Sequence, residues 1–338
     1  MASPMRTEPR PACPVCGGAG ATLHAGLRDR MGAAPGEWGI RACAAASCGA
    51  RWLDPAPAAA DLHHAYEGYF THGPAPRPSP LDAAARRGRL ASRFGYGGAG
   101  LGARLLGALA AIHPSARASM DLTAFHLPAR PGGRLLEVGC GSGDLLAGMR
   151  DLGWTVQGVD FDPGAVAEAG RRGLEVREGD LASCRFPDAS FDAVAMVHVV
   201  EHVPDPAALL REAARVLAPG GRLAFVTPNP RGRGARRFGA HWREWDPPRH
   251  LVLLPPATLR RFVEEAGLRV ERAETTLRES SMIRFGSGEI ARTGRFRFGV
   301  RPRGLDRIAA AAWTIGCWAA SLVDPEAGDE ILVVAAKP

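Results

Sequence analysis

From Pro131 onward the chain alternates short apolar runs with amphipathic segments of helical period. Arg134-Leu-Leu-Glu-Val138 predicts a strand, Asp144 to Leu152 a helix, and Thr155 to Val159 a second strand ending at Asp160. Pro163 to Arg172 predicts a helix that opens on proline and small residues. Leu174 to Arg177 and Phe191 to Val197 predict the third and fourth strands. A helix from Pro206 to Leu217 closes at Pro219-Gly-Gly221, and Arg222 to Thr227 makes a fifth strand. After an irregular stretch, 228–255, come a helix (Pro256 to Ala266), a sixth strand (Leu268 to Thr276) and a last strand at Glu330 to Ala336. Strands alternating with helices at this spacing predict an α/β fold, with a largely parallel sheet covered on both faces.

The first third is patterned differently. Residues 81–127, rich in Ala, Arg and Leu, predict one or two helices interrupted by glycines at 95, 97, 98, 100 and 102. Gly73-Pro-Ala-Pro-Arg-Pro-Ser-Pro80 carries proline at every second position and reads as a linker, because proline blocks both helix and sheet. Before it lie two cysteine pairs and an aromatic segment, Tyr66-Glu-Gly-Tyr-Phe70.

Composition narrows the function classes. The 338 residues are 46% hydrophobic, enough for a real core. The formal net charge of +7 invites a polyanion partner. Lys337 is the sole lysine, however, and the abundance of Ala, Gly, Pro and Arg reads as coding bias, so nucleic acid is not the expected partner. The seven cysteines are odd in number and unevenly spread, which does not fit a disulfide scaffold. No apolar stretch follows the charges of the N-terminus, so no signal peptide is expected. The uncharged run Ile308 to Val323 falls short of the roughly 20 residues of a membrane span. A reducing cytoplasm is the expected compartment.

Chemistry concentrates first in Glu137-Val-Gly-Cys-Gly-Ser-Gly-Asp144, between the first strand and its helix. Gly139, Gly141 and Gly143 allow a sharp turn and close approach of a ligand to the backbone. The pattern departs from the dinucleotide fingerprint, with Asp144 where its last glycine would fall. Two flanking carboxylates suit a ligand of positive charge without phosphate, and S-adenosylmethionine has a sulfonium and an ammonium group. Asp160, ending strand two, can accept both ribose hydroxyls, and Asp180 in Glu178-Gly-Asp-Leu181 is placed for the adenine edge.

With Gly158-Val-Asp160, Glu201-His-Val-Pro-Asp-Pro206 and Leu217-Ala-Pro-Gly-Gly221 in order behind the glycine loop, the chain resembles the class I S-adenosylmethionine-dependent methyltransferases over about 130–277 and the last strand. The resemblance implies a Rossmann-like seven-stranded sheet whose last strand is antiparallel, with Glu137, Gly139, Gly141, Gly143, Asp160 and Asp180 holding the cofactor. The organisation expected is a zinc-binding module at 1–73, linker and helices at 74–127, and a methyltransferase domain at 128–338 with insertions at 228–255 and 278–328.

Cys13-Pro-Val-Cys16-Gly17 is a metal-knuckle pattern, and Cys43 with Cys48 can supply a second pair. Four thiolates would give a closed structural zinc site. This leader is similar to the zinc ribbon of bacterial methyltransferases in glycan and natural-product clusters, which favours a small-molecule, sugar or lipid-linked acceptor. An RNA or protein methyltransferase, or a cofactor-binding protein without activity, are the alternatives.

An oxygen acceptor needs a base. In His198-Val-Val-Glu-His202, leaving strand four, His202 is the first candidate and His198 the second. Some quinone-type relatives bind a divalent metal here with an acid–acid–His cluster; His198 replaces the first acid, so no catalytic metal is expected. In His241-Trp-Arg-Glu-Trp-Asp-Pro-Pro-Arg-His-Leu251, residues Trp242, Trp245, Arg249 and His250 are expected to wall the acceptor site. Arg231, Arg233, Arg236 and Arg237 could grip a phosphate on the acceptor, although a solvated loop is the plainer reading. The run 308–323 offers buried packing or a dimer contact first, and a membrane-lying helix or a pocket cap second.

Overall fold

The computed structural model describes residues 5–32, 34–66, 78–297 and 299–338. Most of the proline-alternating stretch (73–77) and the aromatic segment beyond Tyr66 lie outside the described residues. In chain order the N-terminal region forms β1 (Thr7–Glu8), β2 (Gly20–Leu27), β3 (Trp38–Cys43), β4 (Arg51–Asp54) and β5 (Ala56–Pro57). Three helices follow, α1 (Pro80–Phe94), α2 (Leu101–Ala110) and α3 (Pro114–Leu122). The large domain then runs β6 (Arg134–Val138), α4 (Asp144–Asp151), β7 (Thr155–Asp160), α5 (Pro163–Arg171), β8 (Val176–Glu178), β9 (Phe191–Val197), α6 (Pro206–Val216) and β10 (Leu217–Pro228). It ends with α7 (Arg233–Phe238), β11 (Val252–Leu253), α8 (Pro256–Glu265), β12 (Arg269–Thr276), α9 (Ser280–Thr293), α10 (Gly304–Ser321) and β13 (Glu330–Ala336).

The principal sheet has seven strands in the order β12-β13-β10-β9-β6-β7-β8. The pairs β10–β9, β9–β6, β6–β7 and β7–β8 are parallel. β13 inserts antiparallel between β10 and β12, as the resemblance implied. All seven residues of β13 are buried, and the six after Glu330 are all apolar. Chain order reverses on either side of β6, and a crevice opens at the carboxyl ends of the strands at that switch point.

Three helices, rather than one or two, fill 80–122, and the glycines explain how. Ser79 caps α1 by accepting from the Asp82 N–H, and Gly95 ends it in the left-handed conformation. Gly88 and Gly107 let α1 and α2 close on each other: a Cβ at Gly88 would stand 1.7 Å from the Ala103 carbonyl oxygen.

The N-terminal module is not closed on itself. Its four-stranded sheet has the order β11-β4-β3-β2, so its edge strand comes from the insertion after β10. Trp38, Ile40, Trp52 and Leu53 pack in one continuous core with Leu251, Val252, Val138 and Met196. Module and large domain thus share one core, and residue 73, the expected boundary, lies outside the described residues.

Candidate active site

The glycine loop turns from β6 into α4 under tight walls. Gly139 and Gly143 have φ of +70° and +78°, and a Cβ would stand 2.5 Å from Val199 Cγ2 at the first and 2.3 Å from Leu174 Cδ1 at the second. Only glycine meets both conditions. Asp160 fastens the loop: its carboxylate accepts from the backbone N–H of Gly141 (2.8 Å) and of Asp162 (2.9 Å).

The two flanking acids have different surroundings. Asp144 pairs with Arg172 at 2.6 Å, and the same guanidinium nitrogen donates to the Ser142 carbonyl, so its charge is balanced by the protein. Glu137 is 3% exposed and its Oε2 has no partner among the described residues. Burial, with Asp160 and Asp144 nearby, pushes its pKa well above the ordinary carboxylate value. A buried acid lacking a countercharge, in the wall of a crevice, fits the ammonium group of S-adenosylmethionine. Asp180 lines the same crevice, but its Oδ1 accepts from the Ser183 N–H at 2.6 Å, which shapes its turn.

The crevice encloses about 910 Å³, near the upper end of small-molecule sites, with room for a nucleoside cofactor and an acceptor beside it. From the glycine loop it passes His198 and His202 to Met282 and Phe296. The N-terminal module supplies Leu62 and Tyr66 to its wall.

The two histidines, four residues apart, are opposites. His198, at φ +54°, sits between two buried acids: Nδ1 lies 3.0 Å from Glu201 Oε1 and Nε2 2.9 Å from Glu330 Oε1. Burial alone would lower its pKa, but the hydrogen bonds and charges of Glu201 and Glu330 raise it to about 10. Arg278 also pairs with Glu330 and approaches His198 Nε2 at 3.0 Å. Nε2 cannot both donate to Glu330 and accept from Arg278; with a carboxylate at each ring nitrogen, the doubly protonated form wins. An imidazolium held this way has no lone pair left to take a proton, which sets His198 apart from His202.

His202 is pushed down to about 3, first by burial and then by His250. Its Nδ1 lies 2.9 Å from the Tyr66 hydroxyl and 3.2 Å from the Arg249 carbonyl oxygen, and its ring meets that of His250 edge to face at 4.6 Å. The Tyr66 ring in turn stands edge-on to Phe161, beside Asp160, with centroids 4.7 Å apart. Sequence reasoning noted Tyr66 only as part of an aromatic segment. Glu201, His202 and His250 also bring ligand-type atoms within 4.8 Å of one another. Glu201 is already engaged by His198 and by Thr227 Oγ1, and His250 Nδ1 by the Glu244 carbonyl at 2.7 Å.

Of Trp242, Trp245, Arg249 and His250, expected to wall the acceptor, His250 lines the crevice, and the same loop adds Arg243, Glu244 and Asp246. Arg249 is fully buried, gripping Asp29 of the module (2.6 and 2.9 Å), Asp246 (2.6 Å) and the Ala65 carbonyl (2.9 Å). It clamps module to domain, which corrects the expectation that it faces substrate. Trp242 and Trp245, with rings 4.9 Å apart edge to face, pack in the shared core and likewise do not line the crevice. The basic run also points elsewhere: Arg231 pairs with Glu326, Arg233 donates to the Gly316 carbonyl, Arg236 pairs with Asp324, and Arg237 lies over the Phe238 ring.

The four leader thiols converge. Cys13 and Cys48 Sγ are 3.7 Å apart, Cys16 and Cys43 3.5 Å, and all four lie within 4.8 Å of one another. Zinc–sulfur bonds of about 2.3 Å in a tetrahedron require S–S edges of about 3.8 Å, so the set fits a structural zinc.

Residues 112–273 match the family model described as a methyltransferase domain. The chain is 31% identical over 240 residues to the 27-O-demethylrifamycin SV methyltransferase of Amycolatopsis mediterranei, covering 64% of this chain and 82% of that protein. It is 42% identical over 107 residues to a ubiquinone biosynthesis O-methyltransferase of Xanthomonas oryzae, covering 29% and 44%. Apart from the rifamycin relative, the chain spans about half the length of the curated relatives it matches. A solved S-adenosylmethionine-dependent methyltransferase from Mesorhizobium loti aligns over 65% of this chain and 97% of its own, at 19% identity and a TM-score of 0.45. Because the rifamycin relative is matched at 31% identity over 82% of its length, the chain belongs to the S-adenosylmethionine-dependent methyltransferases.

Proposed function

We propose that this chain methylates a hydroxyl of a small molecule, free or carried on a sugar or lipid. The observation that carries this reading is the continuity of one crevice from the glycine loop to His202 and Tyr66. Two relatives named as methyltransferases of a rifamycin and of ubiquinone biosynthesis support a small acceptor. The basic run, engaged within the protein, gives no support to RNA.

When bound, S-adenosylmethionine supplies an electrophilic methyl carbon on a sulfonium. Glu137 would hold the ammonium group, Asp160 the ribose hydroxyls and Asp180 the adenine edge, over the backbone of Gly139, Gly141 and Gly143. The chain's own part would be to align an acceptor oxygen in the crevice with that methyl carbon, the departing sulfur keeping the electron pair of the broken bond. His202, neutral at pH 7, would receive the acceptor proton; its pKa, pushed down to about 3 chiefly by burial, makes it a weak base, so alignment carries most of the barrier reduction. Alignment in a closed crevice can supply up to about 7–11 kcal/mol of the barrier reduction. Cys13, Cys16, Cys43 and Cys48 would hold a structural zinc that fixes the module presenting Tyr66.

The test uses purified protein, methyl-labelled S-adenosylmethionine and a cell extract separated into small-molecule, lipid–glycan, RNA and protein fractions. Label is expected in the small-molecule or lipid–glycan fraction and absent with Asp160→Ala. Label in RNA or protein would overturn the acceptor class.

A further inference from the structure

Outside the crevice, the outer face of α10 breaks the ordinary pattern of a surface helix. Its inner face buries Ala310, Thr314 and Cys317, and the helix packs beside α9. Its outer face shows Leu305, Ile308, Ile315, Trp318 and Leu322 to solvent, with Leu305 84% and Leu322 69% exposed. These recur at helical spacing along one stripe, and no charged residue occurs from Ile308 to Val323. A helix on a protein surface ordinarily turns charge outward, and a stripe of this kind marks an interaction site.

The segment leading into the stripe is strongly basic. Arg295, Arg297, Arg301, Arg303 and Arg307 are all exposed, and Asp306 is the sole acid between the first and the last. The same segment reaches the catalytic crevice, because Phe296 and Gly299 line it. No helix among the described residues is long and apolar enough to cross a membrane.

We propose that α10 lies in the plane of an anionic lipid surface, its apolar stripe sunk into the headgroup boundary and the five arginines on the lipid phosphates. Charge complementarity selects this occupant over a second copy of the chain. The acids beyond the other end of the helix, Asp324 and Glu326, are already paired with Arg236 and Arg231. A copy laid antiparallel would offer the arginines no free countercharge. The mouth of the crevice would then open beside the lipid surface, an arrangement whose value for a lipid-linked acceptor rests on the proposed function. Membrane binding itself does not.

The test is co-sedimentation of the full chain with phosphatidylcholine vesicles, with and without phosphatidylglycerol. Binding is expected only to the anionic vesicles, falling with salt. The double change Ile315→Glu with Trp318→Glu should abolish it. Removing Arg301 or Arg303 should weaken it by about fivefold each. Calorimetry with S-adenosylmethionine, unchanged in all variants, controls for folding. Absence of binding to the anionic vesicles, or equal binding to neutral ones, overturns the proposal. So does a lipid-free dimer that Ile315→Glu dissociates, which would make a second copy the occupant.

Discussion

The two ends of the crevice are built in different ways. At the end proposed to hold the cofactor, Glu137, the glycines, Asp160 and Asp180 lie on consecutive strand ends, and the bonds that shape them are short in sequence: Gly141 to Asp160 spans 19 residues and Ser183 to Asp180 three. At the acceptor end, Tyr66 meets His202 across 136 residues, His198 meets Glu330 across 132, and Arg249 meets Asp29 across 220. The first end is a property of one supersecondary unit and can recur wherever that unit does. The second exists only once three distant parts of the chain have docked, which is where acceptor specificity can diverge while the cofactor stays the same.

The sharpest way to break this comparison is Arg249→Met. Removing the cation strands Asp29 and Asp246 as buried charges, and loss of one partner from such a pair costs about 3–5 kcal/mol. Denaturant unfolding should show that loss, whereas Arg28→Met, whose partner Glu37 is exposed, should change little.

His198→Gln should follow in size, because it leaves Glu201 and Glu330 without the cation between them. It also carries a pH signature. The His198 pKa is raised in the folded state to about 10, so its stabilisation is complete below about 6.5 and is lost as pH rises toward 10. Stability of the parent should fall over that alkaline window, and the variant should lose that slope. His202, pushed down to about 3, acts in the opposite sense: the unfolded chain takes up a proton there below about 6.5, so stability falls on acidification.

At the cofactor end, Asp160→Ala should weaken S-adenosylmethionine binding by at least tenfold in calorimetry, since hydrogen bonds to a charged group contribute about 1.5–3 kcal/mol each. Unchanged affinity would sink the cofactor assignment. Glu137 should make binding pH-dependent: its pKa is raised in the free protein, and a bound cation favours the ionised form. Affinity should therefore rise with pH through that raised pKa, with proton release, and Glu137→Gln should flatten the profile. The smallest effect expected is from Tyr66→Phe, which removes one hydrogen bond, about 0.5–1.5 kcal/mol, or roughly two- to tenfold in kcat/KM. A change in cofactor affinity instead would move Tyr66 to the other end of the comparison.

What the sequence made legible follows the same division. Arg134–Val138, Phe191–Val197 and Glu330–Ala336 were readable to the residue, because strands of a covered sheet are mostly apolar and bounded by turns, with Arg134, Glu137, Asp192 and Glu330 as their charged positions. The glycine loop was readable because its positive φ angles demand glycine. The charge logic was legible only in part: two acids flank the loop, but Arg172, 28 residues on, balances Asp144 and leaves Glu137. The role of Arg249 was not legible at all. An arginine in a polar, proline-rich loop looks solvated until Asp29 arrives from the other end of the chain. The run 308–323 was recognisable as an apolar helix, but which of its faces would stay outside depended on α9.

The two residues of β11 have a consequence for synthesis on the ribosome. β4 pairs on one side with β3, and its other edge is covered by Val252 and Leu253. Roughly 200 residues must be added after β4 before that partner exists, about 10–40 s at ordinary translation rates. During that interval the module presents an open strand edge, including Trp52 and Leu53, to solvent. The module is thus completed only after much of the larger domain, and its maturation is timed by that domain.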